Sequence, residues 1–167
     1  GLILVFAFMI IYYRIPGLAA SIALVMYTAL VIVLLSAFNE EITLTLPGIA
    51  GIILGIGMAV DANCIIFARI REEIGAGKSV RTAIDAGFSK AFSAIIDGNV
   101  TTLIAAGVLY FIGSGTVKGF AQTLALGIVV SMFTALVITK NILKSFYAVG
   151  LQDEKLYGKT VYTKTIN

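Results

Sequence analysis

The stretch that decides the fold runs from Leu46 to Phe67 and reads LPGIAGIILGIGMAVDANCIIF. It is long and apolar enough to cross a bilayer as a helix, because about 20 residues rising about 1.5 Å each span a hydrocarbon core of about 30 Å. Asp61 stands inside this stretch. A charge there costs on the order of 3 kcal/mol on insertion scales, so acids within spans usually face a bundle interior and mark an ion path. The alternative is an acid that faces lipid or makes only a packing hydrogen bond.

The composition indicates a membrane protein. The 167 residues are 59% hydrophobic and 13% charged, with a mean hydropathy of +1.03, whereas soluble domains average about 25% charged residues. A single cysteine, Cys64, and no histidine exclude an intrachain disulfide and a triad that uses histidine, and they leave no Cys/His metal cluster. We therefore expect no enzymatic site, no bound cofactor and no metal site.

The hydrophobic runs predict an all-α polytopic membrane protein. Full spans are predicted at residues 18–38, 47–67, 94–111 and 120–139, and a partial span at residues 1–13. The first run is too short to cross alone. It also lacks the basic region and cleavage site of a signal peptide, and the chain does not begin with Met. We expect a span that is cut at its start, in a fragment of a longer protein.

Residues 79–92 have a helical pattern of their own. Apolar side chains recur there at helical spacing, and Ser79 can cap the start. Glycines at positions 75 and 77 provide a break before it. The pattern predicts an amphipathic helix in the membrane interface, acting either as a connector or as a moving lever.

The basic residues are concentrated at one end of the predicted bundle. Alternation of the spans places every Lys and Arg except Lys118 on the side of Arg14, and cytoplasmic loops carry such an excess. We therefore expect the loop after Phe67 and the tail, residues 146–167, to be cytoplasmic. The net charge of +3 is a topology signal, and without an aromatic stacking series it predicts no nucleic-acid partner.

A second polar group opens the span that follows the interfacial segment. Asp97 and Thr101 lie four residues apart, and Asn99 and Thr102 lie three apart, so two polar lines run along this helix. Both can face Asp61, which lies at a similar depth. The alternatives are threonines bonded only to their own preceding turn, and an Asp97 that sits near the headgroups as a favourable anion at a helix N-terminus.

The remaining small and polar residues of the Asp61 span are expected to serve packing. Gly48, Gly51 and Gly55 are spaced to form a groove for another helix. Gly57 lies one turn before the carboxylate and leaves room for water, an ion or a neighbouring helix. Asn63 lies about 200° around the helix from the carboxylate, so we expect it to contact a different neighbour. It is still counted, with Asp97, Asn99, Thr101 and Thr102, among the polar residues expected to support Asp61.

No Lys or Arg lies deep within a full span. Desolvation therefore favours the neutral form of Asp61 unless hydration, a bound cation or a base from another chain stabilises the anion. A group that changes its charge in this way can couple to a membrane potential, which is worth about 2.3 kcal/mol per charge per 100 mV. The transported ion can be H⁺ or Na⁺, and the sequence leaves both open.

Five motifs carry a resemblance to a known family: TLPGIAG at 45–51, GMAVDAN at 57–63, FARIREE at 67–73, DGNVTT at 97–102 and GFAQTL at 119–124. Together they resemble the SecD family of protein-export membrane proteins, within the RND superfamily, over about residues 1–145. The tail that follows carries no family motif, and its Gly, Lys and Thr content suggests a solvated cytoplasmic end.

The resemblance implies an RND-type helix bundle in a bacterial-type cytoplasmic membrane, paired with a SecF-like half. It also implies work with the SecYEG translocon on preproteins, driven by the proton motive force or a sodium gradient, with Asp61 on the ion pathway. The large extracytoplasmic domain of the family, through which the preprotein would be held, is missing from this sequence. Two alternatives stay open: an RND-type small-molecule exporter and a non-transporting translocon scaffold.

Overall fold

The computed structural model describes residues 2–13, 15–40 and 44–148, which form helices joined by short turns. The helices are α1 (Leu2–Tyr13), α2 (Ile15–Ala37), α3 (Leu46–Gly75), α4 (Val80–Ile112), α5 (Thr116–Phe133) and α6 (Thr139–Ala148), and a π-helical turn (Thr134–Ile138) joins the last two. Four helical stretches are long and apolar enough to cross a membrane, and α1 is shorter. The predicted all-α class is confirmed. The predicted tail is described only to Ala148, and Arg14 lies outside the described residues.

Local signals fix where α3 and α4 begin. Thr45 caps α3, its hydroxyl accepting a hydrogen bond from Gly48 N at 3.1 Å. Ser79 caps α4 in the same way and accepts from Thr82 N at 3.4 Å. Between the two helices Gly77 has φ of +93°, a conformation that glycine adopts without steric cost. The predicted cap and the predicted glycine break are both present.

The prediction of a separate interfacial helix before the third full span is wrong. Residues 79–92 and 94–111 do not form two helices, because α4 runs unbroken over 33 residues. No Gly or Pro occurs from position 88 to position 97, so nothing interrupts the hydrogen-bond ladder there. At about 1.5 Å per residue α4 is about 50 Å long, longer than a hydrocarbon core of about 30 Å. Its first turns therefore extend past the span at the basic end, beside the last turns of α3.

The core is arranged around α3. One buried cluster lies at the basic end, where α3 meets α1, α4 and α6, and it includes Phe67, Ile70, Ile84 and Leu143. A second lies further along, where α3 meets α2 and α5, and it includes Tyr27, Ala59 and Val130. A third joins α4 to α5 around Ala106 and Ile128. The helix α3 therefore takes part in the first two clusters and packs against every other helix of the bundle on its buried side.

Candidate functional site

Asp61 opens onto a cavity between α3 and α4, which we call the Asp61 cavity. Its volume is about 170 Å³, and its polar side chains are Asp61, Asn99 and Thr102, with Gly98 and apolar side chains forming the rest of the lining. The Asp61 side chain is exposed at the surface of the bundle. Within the described residues it has no ion pair and no hydrogen bond. The cavity has room for several water molecules beside the carboxylate.

Only one of the two polar lines on α4 reaches the Asp61 cavity. Asn99 and Thr102 line it, whereas Asp97 and Thr101 are exposed outside it. Thr101 Oγ1 donates to the Asp97 carbonyl oxygen at 2.9 Å. The prediction that Asp97 and Thr101 face the Asp61 carboxylate is therefore wrong. A helix turns about 100° per residue, so adjacent threonines cannot point at the same group. Thr102 Oγ1 also donates to its own helix, to the carbonyl oxygen four residues before it, at 3.1 Å.

Asn63 lies on the buried side of α3, away from the carboxylate. Its Oδ1 accepts a hydrogen bond from Thr139 Oγ1 at 2.9 Å, and its Nδ2 donates to Ala59 O at 3.1 Å. Thr139 is the first residue of α6, directly after the π-helical turn. The structure thus places Asn63 against a different neighbour, as its position on the helix predicted, and Asn63 does not line the Asp61 cavity. Its hydrogen bond instead connects α3 to α6.

Three of the four glycines in this span lie where α3 meets its neighbours. Gly48 and Gly51 face Thr123 of α5, whose hydroxyl donates to the Gly48 carbonyl oxygen at 2.9 Å, and Gly55 faces Tyr27 of α2. Gly57 is different, because a Cβ placed there meets no described atom within 4 Å. The first three glycines therefore serve packing. The prediction that Gly57 also packs against another helix is wrong for the residues that the structure describes.

An ionic cluster lies at the basic end, where α3 and α4 extend together. The Glu73 carboxylate is 4% exposed and pairs with Lys78 of the connecting turn and with Lys90 of α4. A buried acid with two cations is satisfied on both of its oxygens. The cluster connects α3, the turn and α4, so it stabilises this hairpin. Among residues 2–13, 15–40 and 44–148 no group of three or more His, Cys, Asp or Glu could hold a metal ion.

Comparison with known proteins identifies the family of this helix bundle. A family profile described as protein export membrane protein SecD/SecF, C-terminal, matches residues 1–149. The chain belongs to the SecD/SecF family. It is similar to the protein translocase subunit SecD of Acidaminococcus fermentans, with 58% identity over 143 residues that make up 86% of this chain and 34% of that relative. The SecD of Synechocystis is 56% identical over 144 residues, 86% of this chain and 30% of that relative. The chain thus spans about a third of the length of these SecD relatives.

The SecD-type architecture is also seen in a solved structure. A crystal structure of SecDF, a translocon-associated membrane protein from Thermus thermophilus, matches with a TM-score of 0.85 and 43% identity, covering 90% of this chain and 21% of that chain. The resemblance to the C-terminal membrane region of SecD is therefore confirmed. The helices that hold Asp61, Asn99 and Thr102 belong to this shared fold.

Sequence reasoning missed three polar residues of this SecD-type bundle. Glu73 lies on the same helical stripe as the buried Ile66 and Ile70, and an acid on an apolar stripe is a signal that it needs cations. Thr123 and Thr139 gave no signal of this kind. Threonine in a membrane helix can bond to its own preceding turn, and only the packing of α3 shows that these two hydroxyls reach across to another helix.

Proposed function

We propose that this chain is the SecD-type membrane half of a machine that assists protein export with the energy of a proton or sodium gradient. Asp61 is the residue that carries the proposal. It is an acid on an apolar helix, open to a polar cavity and without a cation partner among the described residues. An acid at membrane depth is costly unless it serves an ion path or a helix interface, so its presence here indicates a function. The named relatives of the chain are protein translocase subunits, which supports export over other transport functions.

A charge change at Asp61 would be passed on through α3. This helix is bonded to α5 by Thr123 and to α6 by the Asn63–Thr139 hydrogen bond. These hydrogen bonds and the close glycine contacts favour movement of α3, α5 and α6 together. Protonation or cation binding at Asp61 would then shift this group of helices, and with them any domain to which they are joined in the longer protein.

The partner for the Asp61 face is a SecF-like half. Asp61 lies at the bundle surface, and the same helix exposes Ile53 and Leu54 by 65% and 47%. A second helical half would cover these side chains and remove the carboxylate from lipid. The further partners in this proposal are the SecYEG translocon, a preprotein held through an extracytoplasmic domain of the longer protein, and the lipid bilayer of a bacterial-type cytoplasmic membrane.

The experiment is preprotein export into inverted membrane vesicles that carry the full-length parent protein, with an imposed proton or sodium gradient. We expect Asp61→Asn to remove the stimulation by the gradient, because an amide cannot change its charge. Expression and copurification with the SecF-like half should stay unchanged. Asp97→Asn is the matched control, since it makes the same change in an exposed acid outside the Asp61 cavity, and it should keep the stimulation.

Unchanged stimulation in Asp61→Asn would contradict the proposal and make Asp61 a packing residue. Efflux of small molecules that depends on Asp61 would instead favour an RND-type exporter. Copurification with the translocon, without any response to either gradient in the unmodified protein, would favour a scaffold.

A further inference from the structure

We infer that the groove between α4 and α6 binds phosphatidylglycerol, an anionic phospholipid, and that Lys140 and Ser89 hold its phosphate. The inference goes beyond the proposed function and does not depend on Asp61. It starts from two cavities between these helices. The inner cavity, of about 310 Å³, is lined by Asp85, Phe88, Ser89, Phe92, Leu136 and Lys140. The outer cavity, of about 390 Å³, is lined by Arg81, Ile84, Lys144, Tyr147 and Ala148.

The two cavities lie end to end along one groove. Arg81, Asp85 and Ser89 are four residues apart on α4, and Lys140 and Lys144 are four apart on α6. Residues at this spacing share a helix face. Asp85 Oδ1 of the inner cavity lies 3.2 Å from Lys144 Nζ of the outer cavity and 3.9 Å from Lys140 Nζ. We call the continuous depression the α4–α6 groove.

The α4–α6 groove has an excess of positive charge. Among the described residues that line it, the cations are Arg81, Lys140 and Lys144, and the acid is Asp85. The two lysines share this acid, which lies closer to Lys144. Arg81 makes no ion pair or hydrogen bond within the described chain. One acid cannot balance three cations, so the groove favours a ligand that carries a net negative charge.

The inner cavity lies at the depth of lipid phosphates. Tyr110, near the other end of α4, lies 5.7 Å from Lys118 Nζ by its ring centre, and such a pair is typical of a membrane interface. Ser89 lies about 20 residues before Tyr110, which is about 30 Å of helix and equals the thickness of a hydrocarbon core. Ser89 is therefore placed where the headgroups of the opposite leaflet begin.

The walls of the inner cavity match the two parts of a phospholipid. The Lys140 ammonium group and the Ser89 hydroxyl can both donate to phosphate oxygens, and Ser89 makes no side-chain hydrogen bond within the described chain. Phe92, which is 51% exposed, lies about one turn further into the membrane on α4, and Leu136 lines the same cavity. An acyl chain can cover these apolar side chains, which a free phosphate cannot do.

The experiment measures lipid binding at this groove by fluorescence quenching. Ser93→Cys, an exposed position next to Phe92, carries the fluorophore in a full-length parent protein that has Cys64→Ala and no other cysteines. The protein is reconstituted in vesicles that contain spin-labelled phosphatidylglycerol or spin-labelled phosphatidylethanolamine, which has the same phosphate but no net charge. We expect phosphatidylglycerol to be preferred by about tenfold, since each basic side chain near the surface adds about fivefold.

Substitutions of charged residues separate a lipid site from general attraction to a basic surface. Lys140→Gln should lower the preference by about fivefold, and Lys140→Arg should keep it. Asp85→Asn should raise the preference, because it removes the acid that competes with phosphate for the lysines. Arg69→Gln is the matched control. It removes a cation at the same end of the bundle but outside the groove, and it should change the preference by less than about twofold.

Three results would overturn the lipid site. The first is equal quenching by the two lipids in the protein with Lys140 and Asp85 intact. The second is an equal loss of preference in Lys140→Gln and Arg69→Gln, which would leave only the general charge of the surface. The third is displacement of the spin-labelled lipid by millimolar glycerol phosphate, which would assign the groove to a free phosphate. A fall of the preference in Asp85→Asn would also overturn the inference, because Asp85 would then only position the lysines.

Discussion

A single methyl group limits how closely α3 can approach its neighbours. A Cβ at Gly51 would lie 2.3 Å from Thr123 Oγ1 and 3.2 Å from the Phe120 carbonyl oxygen, and a Cβ at Gly55 would lie 2.5 Å from Tyr27 Oη. Contacts this short cannot be kept, so the helices would have to separate. The glycines on this face of α3 also allow the Thr123 hydroxyl to reach the Gly48 carbonyl oxygen across the interface. Without a hydrophobic driving force in lipid, such close contacts are what holds helices together.

We expect Gly51→Ala to destabilise the bundle by about 1–3 kcal/mol, the usual cost of overpacking a well-filled interface. Gly57→Ala is the matched control. It lies on the same helix, where a Cβ meets no described atom within 4 Å, so the better helix propensity of Ala should leave stability equal or up to about 1 kcal/mol higher. Thermal unfolding of both variants in detergent measures the difference. Equal unfolding temperatures for the two would contradict the packing role of Gly51.

Glycine spacing was enough to predict the groove and three of the glycines that line it, but not that the fourth lies outside it. Gly48, Gly51 and Gly55 were expected to pack and do so, whereas Gly57 continues the glycine-rich run and faces open space. The position of Asp61 on an apolar helix was likewise visible in the sequence. Its neighbours were only half predicted, because the sequence gives the angle between residues on one helix but not the rotation of α4 about its own axis. That rotation brings Asn99 and Thr102 inward and leaves Asp97 and Thr101 outside.

The hairpin of α3 and α4 is built to stay rigid beyond the span. A Cβ at Gly87 would lie 2.8 Å from the backbone nitrogen of Ile70, so the two backbones are close there. Next to this contact the buried Glu73 binds Lys78 and Lys90. The capping residue and the glycine break of this hairpin followed from local sequence rules. The continuity of α4 did not, because an amphipathic stretch and an apolar stretch with no breaker between them can form either two helices or one.

Glu73→Gln should loosen this hairpin. The amide removes the negative charge that both lysines bind, so the two ion pairs that connect α3, the turn and α4 are lost. We expect backbone amides of residues 76–82 to exchange with solvent about tenfold faster, while α5 is unaffected, since proteins open locally in such units. Hydrogen exchange read by mass spectrometry is the measurement.

Glu72→Gln is the control for this change. Glu72 pairs with Arg69 at 3.1 Å, but both side chains are largely exposed, and exposed pairs of this kind contribute little. Its exchange pattern should match that of the unmodified protein. If the two variants exchanged alike, the ionic cluster would not be what holds the hairpin.

The two ends of the bundle differ in charge but share an arrangement of rings and cations. Arg71 lies over the Tyr12 ring, 5.3 Å from its centre, at the basic end, and Lys118 lies 5.7 Å from the centre of the Tyr110 ring at the other. Tyrosines and cations of this kind are typical of the two membrane interfaces. On α4, Lys90 and Tyr110 are about 20 residues apart, which is about 30 Å of helix and equals the thickness of a hydrocarbon core. These tyrosine and cation pairs therefore mark the two membrane boundaries of the bundle. The excess of basic residues at one end predicts which boundary is cytoplasmic.

This orientation can be measured with single cysteines in a parent protein that has no others, after Cys64→Ala. Ser114→Cys lies in the turn between α4 and α5, and Asn141→Cys lies on the exposed side of α6. Because cytoplasmic segments retain Lys and Arg, a membrane-impermeant maleimide should label Ser114→Cys in intact spheroplasts and Asn141→Cys only after permeabilisation. The Cys64→Ala protein alone should remain unlabelled. The reverse pattern would place the basic end and the Glu73 hairpin outside the cell and would contradict the orientation that the basic residues predict.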